Sequence, residues 1–407
     1  MTRPASSPPS AAEMRVAGLL FPTTALVFVA YLAVGLEAAA VPSFVHGTLG
    51  YSTTLAGLTV SAQFIATLLN RASAGRVTDT LGPQRTVSRG LLLIVFSAVL
   101  FALATLAPLQ HRSLALWGIL ISRLLLGWGV SWVSTAGTVW GIQRTGAAHN
   151  AQVVAWSGVA SYGSLALGAP IGLWMATHPN MPSLGLCIGL LCLAGAVLTY
   201  RLPAVAVPPG EALHLFGVVR RVVPYGIALA LAASGFGVFS SFITLFFQSQ
   251  HWPHSALPLS LYGIVFVAVR LVLARYVDRS GPFPIALASL PVEIAGLLIL
   301  ALAHTPLAAF AAACMIGAGF SLVFPALCVQ TLQSVEPRDR ASAVSVYTAF
   351  IELSLASTAP LAGAIIARQG FRTAFSLAAA LALLSLAGVI ILAAQNRGGT
   401  PTESVHG

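Results

Sequence analysis

The sequence predicts an all-α membrane protein of twelve transmembrane helices, arranged as two pseudo-symmetric six-helix bundles. Three observations carry that expectation: too little polar surface for a water-soluble globule, repeated apolar stretches of membrane-crossing length, and a motif that returns at a fixed offset. Hydrophobic residues make up 57% of the 407 residues and charged residues only 7%, and the mean hydropathy is +0.89. A soluble domain is roughly 25% charged, so this chain cannot coat itself against water. Crossing about 30 Å of hydrocarbon takes about 20 apolar residues in a helix. Backbone polar groups in lipid must be satisfied within each segment, and nothing here alternates like the strands of a barrel, so the spans are helices.

Taken in order, the first six spans fall at 19–41, 54–74, 87–107, 114–138, 152–176 and 183–200. Span 1 carries Glu37 and stops at Pro42, span 4 carries Arg123, and span 5 carries Pro170. The most polar interior stretch follows, 201–221, with Pro203, Pro208, Pro209 and Gly210. Spans seven to twelve then fall at 222–247, 257–276, 284–303, 307–330, 341–366 and 371–394, with Glu293 in span 9 and Glu352 in span 11. The expected units are therefore a disordered tail (1–18), a first bundle (19–200), a linker (201–221), a second bundle (222–394) and a second tail (395–407). The Ala38–Ala40 stretch looks superficially like a signal-cleavage site. Its apolar core is too long for a signal segment and contains Glu37, so span 1 is expected to be retained.

An even number of spans puts both termini on one side, and the charges say which. All 20 basic residues are Arg. With the termini in the cytoplasm, sixteen fall on the inner side, Arg71 and Arg270 counted among them, and only Arg112, Arg368 and Arg372 on the outer side. That is the positive-inside pattern. The net charge of +10 thus reports topology and not a nucleic-acid partner. Cys187, Cys192, Cys314 and Cys328 all lie within spans, where neither a structural disulfide nor a loop metal site is expected. Neither an HExxH pair nor a Lys-bearing phosphate loop occurs, so no metal, cofactor, ATP-driven step or enzymatic activity is expected.

The halves repeat. After span 2 comes Arg71-x3-Gly75-x3-Asp79-x2-Gly82, and after span 8 comes Arg270-x3-Ala274-x3-Asp278-x2-Gly281, every position offset by 199. Pro170 and Pro360 correspond at an offset of 190. Parallel repeats of six helices are one architecture of secondary transporters, with the substrate site at mid-membrane between the repeats. The segment Gly75 to Arg85 (Gly-x3-Asp-x2-Gly with following basic residues) resembles the loop 2–3 signature of the major facilitator superfamily. Arg123-x3-Gly127-Trp128-Gly129 resembles its span 4 motif. Gly158-x4-Gly163-x4-Gly168-Ala169-Pro170-Ile171-Gly172 resembles the span 5 motif of its proton antiporters, departing from it by Ala169 between Gly and Pro. Arg71, Tyr162-Gly163 and the span 10 run Phe320 to Pro325 are similar to the YhhS/YfcJ-like bacterial efflux branch, which implies a bacterial inner membrane.

The resemblance implies that Asp79, with Gly75, Gly82 and Arg85 around it, latches an outward-open state against the start of span 11, and that Asp278 and Gly281 do the same against span 5. The alternative is an ordinary Asp-x2-Gly turn with arginines that set topology. Three carboxylates lie inside spans, where an ionised group needs a partner, a cavity or a proton. Glu352 lies near the midplane, corresponds to Tyr162 of span 5, and is the first candidate for proton or substrate binding; the alternative is a protonated Glu bonded to a neighbouring helix. Glu37 and Arg123 lie at matching depth, and two readings stay open: a pair that couples protonation to movement, or a static arrangement. Glu293 reads as structural. Ser164, Gly168 and Gly172 form a small-residue stripe that suits close helix contact and, with Pro170, a hinge. Trp128, Trp132 and Trp156 are too deep for an interface belt and suit either an aromatic substrate or core packing. The histidines near outer loops read as ordinary exposed residues.

The expectation is a monomeric, proton-coupled exporter of a small organic molecule. Proton-symport uptake of a sugar or organic acid is the second reading, though Gln63, Tyr31 and Tyr162 supply few fixed polar ligands for it. A non-transporting sensor or scaffold is the third, and it would be expected to carry a large soluble loop or appendage.

Overall fold

The computed structural model describes residues 11–107, 109–146, 150–205, 215–336 and 340–398. Twelve α-helices account for nearly all of them: α1 Ala11–Ser43, α2 Thr53–Leu81, α3 Pro83–Thr105, α4 Arg112–Thr145, α5 Asn150–Met175, α6 Met181–Thr199, α7 Leu215–Ser249, α8 Leu257–Ser280, α9 Pro282–Ala301, α10 Pro306–Gln333, α11 Arg340–Gln369 and α12 Phe371–Gly398. Ten contain windows long and apolar enough to cross a membrane. The other two, α2 and α8, carry Arg71 and Arg270 within their length, and both lie where the halves meet.

Local chemistry sets the ends. Ser52, Asn180 and Thr305 accept backbone N–H groups at the starts of α2, α6 and α10, satisfying donors that the first turn leaves free. Proline in the first turn starts α3, α6, α8, α9 and α10, where its missing N–H costs nothing. The α2–α3 and α8–α9 turns are one structure used twice. Gly82 has φ 83° and ψ 155°, and Gly281 has φ 81° and ψ 159°, a conformation essentially closed to residues with a side chain. The glycine of each Asp-x2-Gly is therefore a backbone requirement, and Pro83 or Pro282 opens the next helix.

Two apolar cores form, one within the first half and one centred on the second that also takes in Val60 and Leu165 of the first. The first gathers Leu36, Val45, Ile94, Phe101, Ile119, Trp140 and Ile188 from α1–α6; the second is dominated by Phe239, Phe242, Phe246, Ile316, Phe320 and Phe375 from α7–α12. Glycines bring helices to backbone contact within each bundle: a Cβ on Gly127 would collide with the Gln63 carbonyl, and one on Gly319 with the backbone of Glu293. Phe96, Leu190, Leu307 and Ile391 point outward, as lipid-facing side chains do.

Across the halves, α2 packs on α11, α5 on α8 and α1 on α7. At the face opposite the start of α1 and the end of α12, Thr53 Oγ1 donates to the Gly363 carbonyl (2.8 Å) and Gln248 Nε2 to Ser43 Oγ (3.2 Å). Gly57 abuts Ala359 on the same side. The bundles are thus closed together at that face.

Helix ends differ from the expected spans in a consistent way. Helix α1 begins at Ala11 and α7 at Leu215, so helix runs beyond the hydrocarbon length into the stretches expected as tail and linker. Residues 1–10, 206–214 and 399–407 lie outside the described residues.

Candidate substrate and coupling site

Arg71 is ten residues before the end of α2, about 15 Å along the helix, and Glu352 is twelve residues into α11, about 18 Å from its start. The matched depths let them meet between the bundles. Arg71 donates from Nε to Glu352 Oε2 (2.9 Å) and from Nη2 to Oε1, a two-pronged ion pair joining the first bundle to the second. A planar guanidinium suits such a fork. The spans 54–74 and 257–276 include Arg71 and Arg270, whereas the charge count sets both on the inner face; their place about 15 Å in from the ends of α2 and α8 corrects that count. The sign was present in the sequence: eight residues separate Arg71 from Asp79, which is about 12 Å of helix.

Tyr31 of α1 lies beside this pair, in electrostatic reach of Glu352 and Arg71, with its hydroxyl facing Ser134 of α4 and Ser161 of α5. Five helices, α1, α2, α4, α5 and α11, thus contribute polar groups to one cluster. Ser134 and Ser161 carry no signal that sets them apart in sequence, since each also bonds a carbonyl of its own helix.

A second pair lies wholly in the first bundle. Glu37 of α1 accepts a hydrogen bond from Arg123 Nη1, both side chains 2% exposed, and Arg123 Nε reaches the Thr59 carbonyl of α2 at 3.3 Å. The pair ties α1, α2 and α4. Six residues of α1 separate Glu37 from Tyr31, so one helix runs through both polar clusters. Gln63 is buried with its Oε1 unpartnered.

Tyr162 of α5 stacks on Phe266 of α8, ring centroids 3.8 Å apart, and meets Phe236 and Tyr262 edge-on or tilted. Arg270 lies over the same Phe266 ring, 5.2 Å from its centroid. Glu293 is fully buried between α7, α9 and α10 against Gly235 and Gly319, and among the described residues both its oxygens lack a hydrogen-bond partner. An ionised carboxylate there would be a bare charge.

The small-residue stripe of α5 packs on α1: a Cβ on Gly168 or Gly172 would collide with the backbone at Gly35 and Leu36, and Gly35 meets the Ser164 carbonyl. Gly163 faces α8 with open space, its nearest neighbour Val267 at 4.0 Å. Helix α5 runs through Pro170 unbroken as far as Met175. Asp79 and Arg85 are exposed, and Gly75 has open space around it. The expected latch partner is the start of α11 at Arg340 and Ala341, whose side chains, like that of Asp278, lie outside the described residues. A latch for an outward-open state would not be engaged while the opposite face is closed. Trp128 and Trp132 meet edge to face in an outward groove beside Phe96 and Arg89, between α3 and α4, which removes them from the central site.

The family model that matches is the Major Facilitator Superfamily, over residues 23–335 and 283–405. An uncharacterised MFS-type transporter of Burkholderia mallei (strain SAVP1) is 42% identical over 364 residues, covering 88% of each chain. One from Pseudomonas aeruginosa (strain UCBPP-PA14) is 41% identical over 396 residues, 97% of this chain and 98% of its own. Among solved structures, a D-xylose–proton symporter superposes with a TM-score of 0.77 at 15% identity, covering 91% of this chain and 97% of its own.

Proposed function

Because the chain belongs to the major facilitator superfamily and is a multi-pass membrane transporter, we propose that it exports a small organic molecule from the bacterial cytoplasm in exchange for protons. The observation that carries this reading is the Arg71–Glu352 pair between the bundles. A proton on Glu352 removes the charge that holds Arg71, and with it a contact that ties α2 to α11. Deprotonation restores it. The pair therefore converts proton occupancy into the strength of the inter-bundle contact, which is what alternating access requires of a coupling group. Tyr31 and helix α1 connect it to Glu37 and Arg123, where a second proton-sensitive contact holds α1 to α4.

The direction of transport rests on the span 5 motif and on the likeness of Arg71, Tyr162-Gly163 and Phe320 to Pro325 to the YhhS/YfcJ-like efflux branch. The fourteen arginines left on the inner side once Arg71 and Arg270 are set within α2 and α8 support termini in the cytoplasm, so that the face closed in this structure is the periplasmic one. The Asp79 and Asp278 turns act as latches in the opposite, outward-open state. Solute movement between two bundles needs no second copy, so a monomer suffices.

The test uses purified protein in liposomes with an internal pH dye, and a panel of sugars, organic acids and cationic drugs. A compound that drives proton movement opposite to its own flux supports export by antiport. Movement of proton and compound in one direction would make the chain a symporter, and solute flux without proton flux would remove the coupling role of Glu352.

A further inference from the structure

Arg270 is ten residues from the end of α8, as Arg71 is from the end of α2. Only 8% of it is exposed, and among the described residues it has neither a hydrogen bond nor an ion pair. Its guanidinium lies on the Phe266 ring and against Gly158 of α5, where a Cβ would collide with it. Tyr162, Tyr262, Tyr347 and Cys328 stand in electrostatic reach, and no carboxylate is among them. The repeat explains the shortage. The position that corresponds to Glu352 in the first half is Tyr162, so the pair that is complete between α2 and α11 lacks its anion between α8 and α5. Glu293 packs against Gly235 and Gly319, within electrostatic reach of Tyr162 and Tyr262 but not among the groups acting on Arg270. Stacking on Phe266 stabilises a cation without neutralising it, and a guanidinium this largely buried, with no paired charge among the described residues, favours an arriving counter-charge. The Tyr262 hydroxyl, wholly buried and without a hydrogen-bond partner, lies in the same cluster.

We propose that Arg270 receives the anionic head of the transported molecule, a small organic acid bearing a carboxylate or phosphate, with Tyr162 and Tyr262 as its neighbouring donors. This rests on the transport reading above and specifies its substrate class. A fork-shaped donor selects carboxylate and phosphate over neutral groups, and Gly158 leaves the guanidinium room beside α5.

The experiment measures melting temperature and binding for the full-length protein in lipid nanodiscs, with benzoate, succinate, phenyl phosphate, neutral benzyl alcohol, chloride and inorganic phosphate. At least one organic acid should raise the melting temperature while benzyl alcohol does not. Arg270→Gln should weaken that binding by about tenfold or more, and Arg270→Lys should retain part of it. Without ligand, Arg270→Gln should melt at or above the wild-type temperature, because it deletes an unpaired buried charge. A marked fall, or failure to fold, would mean that Arg270 is a structural group and would overturn the proposal. So would no response to any organic acid, an equal response in Arg270→Gln, or saturation by chloride or inorganic phosphate alone, which would make the partner a resident counter-ion. Liposome flux separates the two readings: a neutral compound moved with protons while no acid binds overturns this proposal and leaves transport standing. An acid that binds at Arg270 and is never moved supports the site and overturns the transport reading.

Discussion

Glu37→Gln should destabilise the fold through Arg123 more than through any contact of its own. Both side chains are 2% exposed, and beyond Glu37 the guanidinium has, among the described residues, one hydrogen bond, at 3.3 Å to the Thr59 carbonyl. Two charges about 4 Å apart attract by about 4 kcal/mol at an effective dielectric constant of 20, and breaking a buried pair by removing one partner costs about 3–5 kcal/mol. The double variant Glu37→Gln/Arg123→Met removes the orphaned charge as well, and replacing a buried pair by apolar groups is often near neutral. The expected cycle is therefore strongly non-additive: a single variant about 4 kcal/mol down, and the double variant with most of that loss recovered. Reversible unfolding in lipid-containing micelles across the four proteins measures it. A single-variant loss under about 1 kcal/mol, with an additive cycle, would mean that the pair is solvated or loosely held, and the reasoning from burial would fail.

Other outcomes follow from the same contacts. Gly172→Val would drive a side chain into the Leu36 carbonyl and should cost about 1–3 kcal/mol or more, whereas Gly163→Ala, mid-helix with open space toward Val267, should hold or slightly raise the melting temperature. Gly281→Ala must occupy φ 81° and should lose about 1–3 kcal/mol, read as a lower melting temperature. Cysteines at Ser43 and Gln248, whose side chains bond across the closed face, should be joined by a short reducible bis-methanethiosulfonate reagent in a background lacking the four native cysteines. That cross-link should stop transport until it is reduced; continued transport would show that this face does not open during the cycle.

Helix number and turns were legible because they follow from length, apolarity and glycine geometry, each a local property. The Gly82 and Gly281 turns are a clear case: one backbone demand, written twice at a fixed offset. Matching depths also brought Glu37 to Arg123, since two positions on antiparallel spans are fixed by counting residues. Arg71 and Arg270 count with the inner-side charges in the sequence because each precedes a loop motif, although eight residues of helix carry it inward. Which residues of different helices face one another depends on helix rotation, which weakly amphipathic spans do not encode. Hence Glu352 was singled out without Arg71, and Tyr262 was not singled out at all. Trp128 shows the reverse error: depth placed it mid-membrane, while rotation turned it outward.

The central claim is that protons act through Glu352 on the contact between bundles. The most direct measurement compares wild type and Glu352→Gln in liposomes, following exchange of labelled for unlabelled substrate alongside uptake driven by an imposed pH gradient. The account expects Glu352→Gln to retain exchange, because a carrier with its site intact still alternates when loaded, and to lose the response to the gradient. A gradient response equal to wild type would contradict it and leave the Arg71–Glu352 pair as a structural tie alone.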